Sequence, residues 1–404
     1  MGESRVITAN WFAPERFHAE YRSMTVRPPS AEVKLPHLVN KSRRAVELEA
    51  RALKAALDDY SRSVPAPGCQ HQADIASARR ADRRLRKAQQ RLLAAGQHQA
   101  ELMLVNAYDH LVSLGRLLGS DGAMSLYAHT TLSRSVCEAA VRHAWLLDPS
   151  ISYEERITRN AVMLVANAEN RLAGAREIPA HNLGAGTAQK LIDNCAAEYA
   201  QVRKLLDRAG MDVALDRAGR KTARIELISP VVKVPVKLDI GPLMSSLLPD
   251  SPGWYRISSG IAHSAAWVLR DAVAGKSGPD LALTPDLMEV AAAAESAISA
   301  SALIIERHAT YYGYDPEPRV RQSRQRREML DVLMREQAIK QMTNPAPLIP
   351  AGSLCASQAN PVERQLIRPT PPLMAAGVAQ VTSSRDDPHV YTSPRLGWTS
   401  SIAA

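Results

Sequence analysis

Alanine and leucine recur at helical spacing through most of this chain, and that pattern leaves room for little except packed helices. Aromatic residues make up only 4% of the 404 residues while 46% are hydrophobic, so the core has to be built from Ala, Leu, Val and Ile. Only one run alternates as a strand does, Pro230-Val231-Val232-Lys233-Val234-Pro235-Val236-Lys237-Leu238, and Pro235 limits it to an edge ribbon or an extended loop. The expected fold class is therefore all-α: a multi-helix bundle with a helical N-terminal extension and a disordered C-terminal tail.

Punctuation divides the chain further. Residues 1–38 hold Trp11, Phe12 and Phe17 ahead of Arg27-Pro28-Pro29, and read as a docking arm and linker because the prolines forbid a long helix. Residues 39–92 form a basic helical extension, in which Val46, Leu53 and Leu57 share a face before a break at Ser63-Val64-Pro65-Ala66-Pro67-Gly68; helix then resumes from Ala73 to Leu118, whole or broken. The core domain spans 93–312. Within it a helix stops at Asp148-Pro149, Ser152-Tyr153-Glu154-Glu155 is a capping box, Thr187 is an expected N-cap, and Asp250 or Ser251 caps a helix with Pro252 in its first turn. The last core helix runs from about Pro285 to Tyr312, with small residues at Ala291 to Ala294 that permit close packing. A basic helix follows over 313–343, and the Pro-, Ser-, Thr- and Ala-rich residues 344–404 read as disordered.

The net charge of +9 is unevenly spread. Residues 1–92 carry 18 basic and 10 acidic side chains, residues 93–312 carry 21 and 23, and the remainder carries 11 and 8, so an acidic partner meets the flanks first. The four cysteines, Cys69, Cys137, Cys195 and Cys355, are scattered without a CxxC or a nearby His, which argues against a disulfide framework, a metal or a cofactor. No leader-like segment opens the chain, and Glu289 and Glu295 interrupt the Ala-rich stretch that could otherwise span a membrane; the expected location is the cytoplasm. Gly184-Ala185-Gly186-Thr187-Ala188-Gln189-Lys190 lacks the GxxxxGK[ST] spacing of a phosphate loop, and no GxSxG elbow is present.

Three polar groupings stand out. Arg79, Arg80, Arg83, Arg84, Arg86 and Lys87 stand against a single Asp82; they make either a phosphate-binding face or a solvated helix face, with no aromatic residue interleaved. Arg134, Glu138 and Arg142 recur at i, i+4 and i+8, so one carboxylate can sit between two guanidinium groups, and the next helix carries a polar stripe of Arg156, Asn160, Asn167 and Arg171. The third grouping is the most unusual. In Trp254-Tyr255-Arg256-Ile257-Ser258-Ser259-Gly260-Ile261-Ala262-His263, Arg256 and His263 are nearly two helical turns apart and share a face across Gly260.

Arg256-x6-His263 resembles the Arg-x4-6-His signature of the HEPN superfamily, over at most residues 100–312, although that family favours a shorter spacing and a polar residue where this chain has Ile257. The resemblance implies a helical bundle that cleaves or binds RNA without a metal. In it His263 serves as general acid/base, Arg256 as phosphate ligand, and Arg134, Glu138, Arg142, Asn160 and Ser259 as supporting polar shell, in a site built across a homodimer. Tyr255-Arg256 with Ser259 to His263, and Trp145-Leu146-Leu147-Asp148-Pro149, also resemble features of helical proteins from high-GC bacteria with no assigned activity. Two alternatives stay open beside this reading: a structural polar core in which His263 bonds Ser259 or a backbone carbonyl and Arg256 pairs with Glu138, and a non-enzymatic interaction or regulatory module whose basic extensions bind an acidic partner.

Overall fold

The computed structural model describes residues 37–119, 125–219, 221–264 and 286–343. The aromatic arm with Trp11, Phe12 and Phe17, the segment holding Trp267, Cys355 and the tail 344–404 lie outside the described residues. In chain order the elements are α1 (His37–Arg62), α2 (Gln70–Arg80), α3 (Arg86–Leu118), α4 (Ala128–Leu146), α5 (Tyr153–Glu177), the single turn α6 (Ala180–Leu183), α7 (Ala185–Arg208), β1 (Met211–Leu215), β2 (Thr222–Leu227), β3 (Val232–Pro235), α8 (Ile240–Leu247), α9 (Trp254–Ala262), α10 (Leu287–Tyr312) and α11 (Glu317–Thr343). The chain is a multi-helix bundle carrying one small sheet.

The bundle is organised around α10. Val290, Ala293, Ala297 and Ile304 on it are fully buried, and small side chains let α1, α4 and α11 close on it from several sides. By length and hydropathy this helix could cross a membrane, but 78% of its most apolar window is buried inside the bundle. Both flanking segments take part in the same core. Val39, Val46 and Leu53 of α1 and Leu330 of α11 join Leu111 of α3 and Val136 of α4 in one apolar cluster. A buried ion pair links these flanks: Glu49 accepts a hydrogen bond from Ser323 Oγ at 2.8 Å and lies 2.6 Å from Arg326 Nη1. Burial holds the Glu49 carboxyl above the usual carboxylate range against the opposing pull of Arg326.

A second apolar cluster joins α2, the start of α3, α5, the end of α7 and the sheet. The strands are antiparallel in the order β1-β2-β3, with Val213 opposite Ile225 and Ile225 opposite Val234. β3 is an edge strand, the position to which Pro235 confines it. Ser152 caps α5 as its sequence predicts, accepting the Glu155 N–H at 3.1 Å. Thr187 does not cap α7: its N–H bonds to Gly184 O at 3.1 Å, and Gly184 is the N-cap with φ 77°.

Arg156 of α5, 1% exposed, stands between the second cluster and a smaller one that holds Leu146, Met163 and Tyr311. Its Nε lies 2.8 Å from Asp74 Oδ2, Nη1 donates to Leu146 O at 2.8 Å, Nη2 donates to Asp148 O at 2.7 Å, and the guanidinium stands 4.9 Å over the Tyr311 ring. Tyr311 Oη and Gln70 Nε2 donate to the two Asp74 oxygens, each at 2.9 Å. A cation at the carboxyl end of α4, bonded to carbonyls that the helix leaves free, is thereby neutralised within the core.

Candidate functional site

The geometry of α9 begins with Gly253. The sequence favours Asp250 or Ser251 as its cap, yet Gly253, in the left-handed region at φ 74°, holds that place, and Asp250 pairs with Arg327 of α11 at 2.8 Å instead. The helix buries Trp254, Ser258 and Ile261 while packing on α4 and α8. Burying that face turns Arg256, Ser259 and His263 outward at i, i+3 and i+7. The two adjacent serines therefore differ in use: Ser258 Oγ donates back to Trp254 O at 2.7 Å, whereas Ser259 faces the cavity described next. His263 is the C-cap, and Ser264 after it adopts the left-handed φ of 52°.

Arg256, Ser259, Gly260 and His263 line one open cavity of about 560 Å³ between α8 and α9, with Gly241, Met244, Ser245, Ser251, Gly253 and Tyr255 completing its wall. Arg256 and His263 are both exposed there. Neither side chain makes a hydrogen bond or ion pair among the described residues, and Glu138 pairs with Arg134, so the interior alternative, with Arg256 paired to Glu138, is not the arrangement adopted. The wall offers a guanidinium, an imidazole and three Ser hydroxyls, and it contains no carboxylate. A different chemistry lies on the other side of α9. There Trp254 and Ile257 line a groove with Asp250, Glu289 and Glu295, and burial raises both glutamates above the usual range, opposed by the Thr130 hydrogen bond at Glu289 and by Arg327 at Glu295. One short helix separates a cationic cavity from an acidic groove.

Two of the five supporting residues stand behind the cavity through Tyr255. Arg134 Nε donates to Glu138 Oε1 at 2.7 Å, and the Arg134 guanidinium lies 5.4 Å from the Tyr255 ring centroid. Tyr255 also borders Gly241, where an added Cβ would sit 3.4 Å from the ring. Ser259 is in the wall itself. Arg142 is half-buried on α4 and does not reach Glu138, so the carboxylate serves one guanidinium rather than two. Asn160 is elsewhere: it is 2% exposed between α5 and α3, and its Nδ2 donates to Leu92 O at 3.2 Å. Tyr255 is the residue that sequence reasoning underused. Its adjacency to Arg256 was visible, but the cation over its ring comes from another helix.

Arg79, Arg80, Arg83, Arg84, Arg86 and Lys87 lie together at the α2–α3 corner, all exposed, and are not part of the cavity wall. Among the described residues no group of three His, Cys, Asp or Glu side chains is placed to hold a metal ion. No family model, curated protein or solved structure matches the chain.

Proposed function

We propose that the α8–α9 cavity takes a phosphodiester of RNA and that the chain acts as a HEPN-like, metal-independent RNA-cleaving protein of the cytoplasm. The observation that carries this reading is that Arg256 and His263 line one solvent-open cavity whose wall has three Ser hydroxyls and no carboxylate. A dianion or monoanion entering it meets two cation-capable groups and no carboxylate in the lining. In the proposed step the His263 imidazole takes the proton of a ribose 2′-hydroxyl. The freed oxygen bonds to phosphorus, the bond to the 5′ oxygen breaks with proton return to that leaving oxygen, and a 2′,3′-cyclic phosphate remains. Arg256 neutralises the charge that builds on the non-bridging oxygens, and Ser259 donates to one of them.

The test is cleavage of a mixed RNA pool in EDTA by wild type, His263→Ala and Arg256→Ala, with urea unfolding of each. Loss of His263 is expected to lower cleavage by about 10²- to 10⁴-fold, and loss of Arg256 by about 10²- to 10³-fold. Because both side chains are exposed, both variants should stay within about 0.5 kcal/mol of wild-type stability. A folded wild type that cuts nothing, or variants that cut as well as wild type, would sink the cleavage reading. The module reading, in which the basic flanks bind an acidic partner, would then take its place.

A further inference from the structure

The α2–α3 corner concentrates positive charge that the fold does not use. Between Arg79 and Arg91 stand seven cationic side chains, Arg79, Arg80, Arg83, Arg84, Arg86, Lys87 and Arg91, every one exposed, and none forms an ion pair among the described residues. Arg80 reaches only Ser77 Oγ at 3.2 Å, and Arg86 only the carbonyl of Ala81. The single local carboxylate, Asp82, is spent on the turn: its Oδ1 accepts the Arg84 N–H at 2.7 Å. Like charges so close in sequence repel by a few tenths of a kcal/mol for each neighbouring pair, and no contact within the described residues offsets that cost.

The corner is also rigid. The Leu85 and Arg86 N–H groups bond to Asp82 O at 3.0 and 2.8 Å, and Ala81 N–H bonds to Ser77 O at 3.0 Å. Beneath, Gln89 Nε2 donates to Ala209 O at 3.2 Å, and Leu85 lies so near Gly210 that a Cβ there would come within 3.2 Å of it. That contact brings the end of α7 alongside, with Lys204 and Arg208 exposed on its last turns and Asp207 between them. Cations are thus presented from three helix ends on a fixed frame.

We propose that this corner docks the phosphate backbone of base-paired RNA, separately from the α8–α9 cavity. Arginine outnumbers lysine six to one in the run, and a guanidinium bonds a phosphate through two parallel N–H groups. Residues 70–93 contain no Phe, Tyr or Trp, so there is no platform on which unpaired bases could stack, and recognition falls on the backbone of a regular helix. The choice of RNA over DNA rests on the reading of the Arg256/His263 cavity; the choice of a nucleic-acid duplex does not.

The experiment is fluorescence anisotropy on the full chain with a 20-base-pair RNA duplex, the corresponding single strand, the matching DNA duplex and polyglutamate as probes. The proteins are wild type, Arg79→Gln/Arg80→Gln, Arg83→Gln/Arg84→Gln and Lys340→Gln, each checked by circular dichroism. If four of the cations contact phosphates, wild-type affinity for the RNA duplex falls about a hundredfold between 50 and 200 mM salt. Each Gln pair is expected to weaken duplex binding at least tenfold and to flatten the salt dependence, while Lys340→Gln, which removes an exposed cation of α11 outside the corner and the cavity, binds as wild type. Equal binding by wild type and both Gln pairs, tighter binding of single strand, DNA or polyglutamate, or no duplex binding by folded wild type would each overturn the proposal. None of these results depends on cleavage, so the corner and the cavity can fail independently.

Discussion

Gly96 occupies a place that no side chain can share with Asn160. A Cβ built on it would lie 1.9 Å from Asn160 Cγ, and Asn160 is locked by its hydrogen bond to Leu92 O. In an exposed helix Gly→Ala gains up to about 1 kcal/mol, but here the buried amide has no water to retreat into. Gly96→Ala is therefore expected to lower stability by about 1–3 kcal/mol in urea unfolding, and Asn160→Ala in the same chain to recover part of that loss. Strictly additive effects of the two substitutions would show that the close approach is not felt. The pair also marks the limit of reading residues from sequence. Arg256, Ser259 and His263 were legible because one helix face is a local property, and 3.6 residues per turn fixes it. Asn160 lay in an equally visible polar stripe, yet its role was set by a glycine sixty-four positions earlier, and the Arg134 guanidinium over Tyr255 was no more visible.

Where α2, α5 and α10 meet, an ion pair is buried beside the apolar contact of Met163 and Tyr311. Arg156 gives up water for Asp74, two carbonyls and the Tyr311 ring, so removing one partner leaves a buried charge behind. Asp74→Ala should cost about 3–5 kcal/mol, while Tyr311→Phe, which forfeits the hydrogen bonds to Asp74 and from Gln97 and keeps the ring, should cost about 1–3 kcal/mol. Urea midpoints of the two variants decide the matter; an Asp74 variant no weaker than the Tyr311 variant would mean the charge is hydrated after all. Elements of this size were mostly readable, since apolar spacing gave the long helices and Pro235 gave the edge strand. The break between α2 and α3 was not, because it contains neither Gly nor Pro and is held by the oxygens of Asp82. Nor was the β1–β2 hairpin, whose basic connection around Gly219 reads as a loop; Asp216 N–H bonds to Lys221 O at 2.8 Å and closes it. The joining of α1 to α11 through Glu49 and Ser323 spans 274 positions, beyond any periodicity.

The stability of the whole bundle should depend on pH through two histidines near its centre. His143 of α4 is fully buried and His308 of α10 is 6% exposed, with His143 Nε2 3.4 Å from His308 Nδ1. Tyr60 of α1 stacks on His308 at 5.0 Å, Tyr312 of α10 lies tilted against it at 4.7 Å, and His71 of α2 lies tilted against Tyr312 at 4.8 Å. Burial lowers both pKa values, helped at His143 by His308 and at His308 by His71, and takes that of His308 to about 4. The unfolded chain takes up a proton at each near pH 6.5, whereas the folded chain does so only at far lower pH. The contribution is thus complete above about pH 6.5 and is lost as pH falls toward 4, by about 3 kcal/mol at pH 4 for His308 alone. Glu49, Glu289 and Glu295 act in the opposite sense, because raised carboxyls take up protons in the folded state first. The informative quantity is therefore a difference between two proteins. His308→Phe keeps a ring between Tyr60 and Tyr312 and removes the titration, so the advantage of wild type over this variant should shrink steadily from pH 6.5 to 4 in urea unfolding. A gap that stays constant across that interval would mean His308 is protonated in the folded bundle, and that the centre of the molecule is wetter than its packing implies.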